Sequence, residues 1–430
     1  MGAGFVKLLH QHRELLAANG LELNVTRIAV RNVERKRDLP AGAPKPVAHS
    51  LAVVESPDVD LVVETMGGVD EAYRLIRRAL ELGKPVVTAN KAVLAEKLPE
   101  LIELAKKADK PIGFEAAVAA FIPVIETLDT SLACEDIAGV RGVVNGTTNY
   151  ILTFMEREGA SFEQALADAT AKGFTEADPS LDVDGIDAAQ KICLLAYKTF
   201  GAKTRPREIH VEGISQITHE DIELAGRMGH RVKLVAAAQK LDGGLSVRVH
   251  PALILKGELL AECDSEFNAI ILEGPGFKEL SFLGKGAGQF PTASAVLNDV
   301  VKIARGHCSG LPGFVKTGGT LKSLPIADMR FGYYLRARVA SAAAAQRIAG
   351  ALGERGVTIL NQASLKIADA SYAAFITDTA LELDMMKSLD ALAKIEGVKE
   401  RPAFIRLDKD SYRDIVEAEQ RQFIGTGLKR

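Results

Sequence analysis

The sequence predicts an α/β protein in three parts: a doubly wound parallel sheet, a second α+β unit, and a C-terminal βαββαβ layer. Three observations carry that reading. Short apolar strands alternate with helices between Phe5 and Phe114, the pattern of a parallel sheet with helices on its faces. Strand-like runs then follow at 246–255, 268–272 and 278–283, as a second sheet requires. After Pro325 the pattern resets to strand, helix, two strands, helix and strand. The division that follows is 1–128, 129–289 and 328–410 with a tail over 411–430, residues 290–318 completing the first unit. A chain of 430 residues is also too long for one small core.

Taken in order, the first third opens on an amphipathic helix over Phe5–Ala18, followed by a strand at Asn24–Val30 and another at Leu61–Glu64. Tyr73–Leu82 reads as a helix and Pro85–Thr88 as a strand. Pro99–Ala108 reads as a helix with its proline at the first position, where no amide hydrogen is needed. Pro111–Phe114 is the last strand of the set. In such a sheet the ligand lies at the carboxyl ends of the strands. Those ends read Arg31-Asn32, Thr65-Met66-Gly67-Gly68 and Thr88-Ala89-Asn90-Lys91. A basic residue after the second strand suits a 2′-phosphate, so Arg31, with Arg35 and Lys36 near, points to NADP over NAD; a solvated basic loop is the other reading. Met1-Gly2-Ala3-Gly4 enters the first helix directly, so Gly2 and Gly4 stand alone where a dinucleotide fold has a strand and G-x-G-x-x-G. The expected consequence is a sheet without its first strand, from a chain whose start lies inside a longer reading frame.

In the middle, Val143–Phe154 joins a strand to a helix through a polar turn, where Asn145, Thr147, Thr148 and Asn149 cap the helix or line a ligand. Gly284–Asp299 is a glycine turn running into a helix; Gly284, Gly286 and Gly288 permit close backbone approach. The C-terminal layer places strands at 333–339, 357–365, 373–378 and 403–408, with helices at 343–354 and 384–395. The segment from Ser411 is a short charged helix.

Composition excludes several classes. A formal net charge of −3 gives no basic field for nucleic acid or anionic membrane, and no apolar run has the length of a membrane span. The opening residues lack the apolar core of a signal peptide. Cys134, Cys193, Cys263 and Cys308 are far apart, with neither zinc-type spacing nor a disulfide framework. The expectation is a cytoplasmic protein acting on a small molecule.

The richest stretch is Gly173–Lys191, in which Glu176, Asp178, Asp182 and Asp184 crowd a loop broken by Gly173, Pro179 and Gly185. A helix starts near Gly185 and sets Asp187 and Lys191 four residues apart on one face. Read alone, that pair is an ordinary exposed salt bridge. The run Ile192–Tyr197 is apolar almost all round, however, which buries the helix. A buried lysine needs carboxylate partners, and in a partly dry cleft it becomes a candidate for proton transfer beside a cluster able to hold an ammonium group.

TANK at 88–91, NGTTNYIL at 145–152, GFTEADP at 173–179, DGIDAAQK at 184–191 and GAGQFPTASAV at 286–296 together resemble homoserine dehydrogenase, in that family's order and over nearly the whole chain. The resemblance implies a Rossmann-like first domain and reversible NAD(P)-dependent oxidation of homoserine to aspartate semialdehyde. It implies Lys191 as proton donor to the substrate oxygen in aldehyde reduction, Lys91 as a second active-site lysine near cofactor and substrate, and Asp187 as the partner positioning Lys191. Glu176 and Asp182 would hold the substrate amino group, and Thr88, Gly173 and Gly288 fall at cofactor-contacting positions. A monovalent cation, Na+ or K+, would sit at Glu115 with main-chain carbonyls of Val118, Ala120 and Ile122. There the sequence departs, with Ala120-Phe121 in place of the family's Gly-Gly pair. A homodimer or homotetramer assembled through the second sheet is implied too. The C-terminal layer resembles an ACT domain, yet Ala340–Ala344 has neither the glycine nor the carboxylate of the effector-binding turn, so a structural or oligomerising role is expected of it. The alternative to a working enzyme is an impaired or regulatory homologue whose dinucleotide site is incomplete.

Overall fold

The computed structural model describes residues 1–175, 178–307, 321–367 and 369–408. A small parallel sheet is formed by β1 (Val62–Glu64), β2 (Val86–Thr88) and β3 (Ile112–Gly113), in that order. Helices Asp70–Glu81 and Lys91–Ala108 provide the crossovers. The former buries Ala72, Leu75, Ile76, Ala79 and Leu80, an i, i+3, i+4, i+7, i+8 stripe, while Asp70 and Glu71 favour its N-terminus.

Three elements differ from the sequence reading. Residues Asn24–Val30 are extended but make a single parallel bridge, Ala29 to Val47, so no strand forms. Among the described residues neither side offers a longer ladder; beyond Val47 N to the Ile28 carbonyl and Val30 N to the Val47 carbonyl, both 2.9 Å, Leu23, Val25 and Ile28 pack on the cluster of Phe5, Val6 and Val296. The first helix is two, Gly2–Gln11 and Arg13–Ala18, divided at His12. The helix assigned from Pro99 begins at Lys91, capped by Asn90, and Pro99 is accommodated just after a break at Lys97 (φ −114°, ψ 15°). The missing proline donor explains the break. The tail from Ser411 lies outside the described residues.

The second sheet is larger than expected. It contains β4 (Gly139–Val143), β5 (His210–Val211), β6 (His230–Leu241), β7 (Gly244–Leu255), β8 (Phe267–Gly274) and β9 (Lys278–Lys285). Strand β6, unanticipated, forms with β7 a hairpin of twelve-residue strands turning at Asp242-Gly243, where Gly243 takes φ +89°. The C-terminal layer contributes β10 (Arg330–Phe331), β11 (Tyr333–Val339), β12 (Ile359–Ile367), β13 (Ala370–Thr377), β14 (Ala380–Leu381) and β15 (Ala403–Leu407). The order β12-β13-β11-β15 is that of a ferredoxin-like layer. That layer is not separate: β15 pairs parallel with β7, Arg406 opposite Ala252, giving one sheet ordered β12-β13-β11-β15-β7-β6-β4-β8-β9, with β5 beside β7.

The helix Ile186–Phe200 lies on the face of β6 and β7 and against the Lys91–Ala108 helix, so it spans the two sheets. Thirteen of its fifteen residues are buried, as its all-round apolarity requires. No helix among the described residues is long and apolar enough to cross a membrane.

Candidate active site

Two helix starts and one strand end meet where the two sheets join. Gly185, at φ +81°, turns the chain into the Ile186–Phe200 helix, and a Cβ there would press on Val211, the Glu212 carbonyl and Val249. One turn on, Asp187 and Lys191 face the cleft. Lys191 Nζ lies 2.7 Å from Asp187 Oδ2 and donates to the Val144 carbonyl at 2.6 Å. Lys91, the first residue of its helix, reaches the other oxygen, Asp187 Oδ1, at 3.0 Å. One carboxylate therefore bridges two ammonium groups. Burial opposes its ionisation, but Lys191 and Lys91 outweigh burial and hold Asp187 well below the usual carboxylate range.

Asn145 explains how this cluster is assembled. Its Oδ1 caps the Gly146–Glu158 helix by accepting from Thr148 N at 2.8 Å. The cap requires an acceptor, which fixes the amide orientation and aims Nδ2 outward. That group donates to Asp182 Oδ1 at 2.6 Å and Asp187 Oδ2 at 2.9 Å. Burial, with Asp187 nearby, pushes the Asp182 carboxyl up. The cap read from the sequence is present, and the same amide also holds the Asp182 and Asp187 carboxylates.

Two residues missed by the sequence reading hold the other wall. The Val144 carbonyl accepts from Lys191 and from Asn268 Nδ2, the latter at 3.0 Å. A Cβ on Gly286 would fall 1.8 Å from Asn268 Nδ2, so any larger residue there displaces that side chain. Asn268 Oδ1 is buried and has no hydrogen-bond partner among the described residues. A lone asparagine in the apolar run Asn268–Leu272 was the available signal.

The remaining predicted positions distribute as follows. The Thr88 side chain is buried, donating to Glu64 Oε2 at 2.5 Å and accepting from Asn90 N at 3.0 Å, while Asn90 Nδ2 holds the Gly68 carbonyl at 2.7 Å. This network ties the carboxyl ends of β1 and β2 together; burial raises the Glu64 carboxyl. Gly2 approaches Thr65 Oγ1 and Gly4 approaches Gln289 and Ala293, so the helix starting at Gly2 meets that starting after Gly288 (φ +123°). Gly67 and Gly68 face open space. Gly173 (φ +77°) also faces open space, beside Phe174, whose carbonyl takes the Thr147 hydroxyl at 2.8 Å. Arg31 is exposed on a loop outside this hydrogen-bonded set, and Glu176 lies outside the described residues.

Glu115 is buried, its two oxygens accepting from the Ile125 and Glu126 amides at 2.8 Å each. Burial first, then Asp299, pushes its carboxyl up to about 8. Val118, Ala120 and Ile122 follow in the same turn, with Ala120 in the left-handed region (φ 49°, ψ −107°) and Phe121 exposed. No group of three or more His, Cys, Asp or Glu able to hold a metal occurs among the described residues.

Comparison with known proteins covers this whole architecture. The family model described as "Homoserine dehydrogenase" matches residues 123–301, and that described as "Homoserine dehydrogenase, NAD binding domain" matches residues 1–115. Homoserine dehydrogenase of Corynebacterium glutamicum is 38% identical over 95% of this chain and 94% of its own length. That of Helicobacter pylori is 35% identical over 95% and 96%. Among solved structures, a homoserine dehydrogenase from Thiobacillus denitrificans superposes with TM-score 0.89 at 33% identity, over 95% of this chain and 96% of that one. A hyperthermophilic archaeal homoserine dehydrogenase in complex with NADPH superposes with TM-score 0.62 at 28% identity, covering 72% of this chain and 96% of its own.

Proposed function

This chain belongs to the homoserine dehydrogenase family, and we propose that its NAD(P)-dependent interconversion of homoserine and aspartate semialdehyde runs through Lys191 as the proton-transfer group. The observation that carries this is a count of donors. An ammonium group has three; Lys191 uses one on Asp187 and one on the Val144 carbonyl. Among the described residues the third has no partner, and we assign it to a substrate oxygen.

The nicotinamide, when bound, accepts or supplies the hydride at the carbinol carbon. In the direction of aldehyde reduction, Lys191 gives its third proton to the carbonyl oxygen as that oxygen gains charge, and the hydroxyl forms. In oxidation the neutral amine takes the hydroxyl proton back. Asp187 keeps the amine aligned throughout, and Lys91, on the opposite oxygen, keeps Asp187 ionised and in place. Asp182, aligned by Asn145, supplies a carboxylate for the substrate ammonium, with Glu176 as the second. Such alignment is the protein's main contribution to hydride transfer.

The dinucleotide fits the carboxyl ends of β1 and β2. The glycines at 67 and 68 leave that ground open, and two helix N-termini, at Gly2 and after Gly288, converge beside it. Gly2, Gly4, Thr88, Lys91, Gly173 and Gly288 are the residues we assign to it, with Arg31 for a 2′-phosphate and hence NADP. A monovalent cation is assigned beside Glu115, a buried carboxylate with Lys302 Nζ 4.0 Å from its Oε2, with main-chain oxygens of Val118, Ala120 and Ile122 completing the donor set. We assign cofactor binding to 1–128 with 290–318, catalysis to 129–289, and an ACT-like layer to 328–410. A second copy is assigned to the β9 edge, where Leu283 is exposed.

The test is nicotinamide absorbance with homoserine and NADP for the wild type and Lys191→Ala. Turnover at the wild-type rate in the variant would overturn the assignment.

A further inference from the structure

Asn268 is the polar misfit of β8. The apolar run Ala269–Leu272 follows it, and the asparagine is as fully buried as they are. Its Oδ1 has no hydrogen-bond partner among the described residues, a cost that an apolar side chain of the same shape would not carry. What the asparagine contributes lies at its other end. Nδ2 donates to the Val144 carbonyl at 3.0 Å, and the opposite amide orientation would set two oxygens against each other. That carbonyl does not need Asn268 for its satisfaction, because it already accepts from Lys191 Nζ at 2.6 Å. A carbonyl oxygen accepts along two lone-pair directions near its plane. With Asn268 on one, Lys191 is confined to the other. Asp187 fixes a second N–H of the same amine, at 2.7 Å. Two fixed N–H directions on a tetrahedral nitrogen set the third.

The same side chain meets the glycine turn that follows β9. The three atoms nearest a Cβ on Gly286 would be Asn268 Nδ2, Cγ and Oδ1, at 1.8, 2.1 and 2.5 Å. Gly286 is not in the left-handed region, so the asparagine, and not the backbone, is what opposes a side chain there. The strand register brings the two together, since Asn268 pairs with Gly284 across β8 and β9. Two residues beyond Gly286, Gly288 opens the Gln289–Ala304 helix, whose N-terminus is assigned above to the dinucleotide. On the other side, Gly146 lies against the backbone just before Asn268: a Cβ there would stand 3.0 Å from the Glu266 carbonyl oxygen. Asn268 is thus clamped between the turn that anchors the Lys191 amine and the turn that leads to the dinucleotide.

We propose that Asn268 is a positioning residue for the reaction: held against the Gly286 turn, it fixes the Val144 carbonyl and so aims the transferable proton of Lys191 at the substrate oxygen. The inference rests on Lys191 as the proton-transfer group. Asn268 acts through Val144 and not on substrate itself. Its removal leaves Lys191 in place, still paired with Asp187, but free to swing about the Val144 carbonyl. The proton then meets the oxygen less often as hydride reaches the carbon, and the rate falls without loss of binding. Gly286 belongs to the same device, because a methyl group there pushes the asparagine off the carbonyl.

The test is steady-state kinetics of the full chain in the direction of aldehyde reduction, in H2O and in D2O, with melting temperatures for each variant. Asn268→Leu keeps the shape and removes both polar ends. It is expected to lower kcat about 10–100-fold and to enlarge the solvent isotope effect on kcat, since proton delivery becomes the slower event. KM for the aldehyde and NADPH affinity stay within about twofold, and the melting temperature is not lowered. If that variant does not fold, Asn268→Ala, which only removes atoms, carries the same readouts. Gly286→Ala is expected to lower kcat in the wild type but to act within about twofold in the Asn268→Ala background, where its methyl group has room. Wild-type turnover in Asn268→Leu, a fall in kcat with no change in the isotope effect, or independent effects of the Gly286 and Asn268 changes would each overturn the proposal. Lys191→Ala separates the two readings: wild-type turnover there overturns the proton-transfer assignment itself, whereas its loss beside an unaffected Asn268→Leu overturns the positioning role alone.

Discussion

Lys191 and Lys233 are both buried lysines, each beside an aspartate and each next to an asparagine of the same helix segment, Asn145 or Asn149. Their surroundings differ by one hydrogen bond. Lys233 spends all three donors, on Asn149 Oδ1 (2.9 Å), the Cys263 carbonyl (2.7 Å) and Asp264 Oδ1 (3.2 Å). Among the described residues Lys191 spends two. A saturated ammonium group is a structural tie, because moving its proton would break a satisfied network; one with a spare donor facing a cleft can exchange a proton at small cost. Arg406 is likewise tied down, by four hydrogen bonds from its Nε and both Nη groups to Glu212 and Glu382. Residue type and burial do not distinguish Lys191 from Lys233; on the proposed assignment the donor count does.

The comparison breaks first at Lys191. Lys191→Ala should lower kcat by about 10²–10⁴, the usual worth of a positioned proton-transfer group, with cofactor affinity in fluorescence titration of NADPH unchanged. The next effect concerns substrate: Asp182→Asn should raise KM for homoserine about 10–100-fold, since a charge-assisted hydrogen bond is lost, and steady-state kinetics would show kcat changing far less. Lys233→Met sharpens the contrast from the other side. It should cost about 2–4 kcal/mol of stability through the buried partners it strands, seen as a lower melting temperature, with kcat of the folded protein within about twofold. If that variant instead loses turnover while remaining fully folded, the two lysines are not different in kind.

Acid stability probes what the two regions share. Lys191 and Lys91 hold Asp187 below the ordinary range, and Lys233 and its neighbours do the same for Asp264 against burial. A depressed carboxyl contributes stability that is present above its unfolded pKa, near 4, and is lost as pH falls through that value toward the folded one. Denaturant titrations between pH 5 and 2 should therefore show stability falling in the wild type and a shallower fall in Asp264→Asn. The smallest effect lies in the turn that follows the Glu115–Ala119 helix. Ala120 occupies a left-handed conformation that glycine takes without strain, so Ala120→Gly should stabilise by about 1 kcal/mol, a rise of a few degrees at most by calorimetry.

Much of the site was legible because helical spacing is local. Asp187 and Lys191, four apart, had to share a face, and the apolar run after Lys191 had to bury it. The alternating first third likewise announced a parallel sheet, and the pattern after Pro325 announced the C-terminal layer. Local pattern failed where a neighbour was needed. Asn24–Val30 has strand-like composition and no ladder partner among the described residues; the β6 strand was overlooked although it is twelve residues long, because Ala236, Ala237 and Ala238 dilute its β-branched signal.

By itself, then, the sequence determined the architecture of alternating layers, the buried acid–lysine pair and the family resemblance, since each follows from periodicity or from contiguous blocks. Only the tertiary structure decided that Lys91 shares Asp187 with Lys191, that Asn145 both caps a helix and orients two carboxylates, and that the Val144 carbonyl, held by Asn268, accepts from the Lys191 amine. It alone joined the C-terminal layer to the second sheet through β15 and β7. Hydrogen-bond saturation is a property of groups brought together from distant parts of the chain, with Val144 and Lys191 separated by 47 residues. No local pattern encodes it.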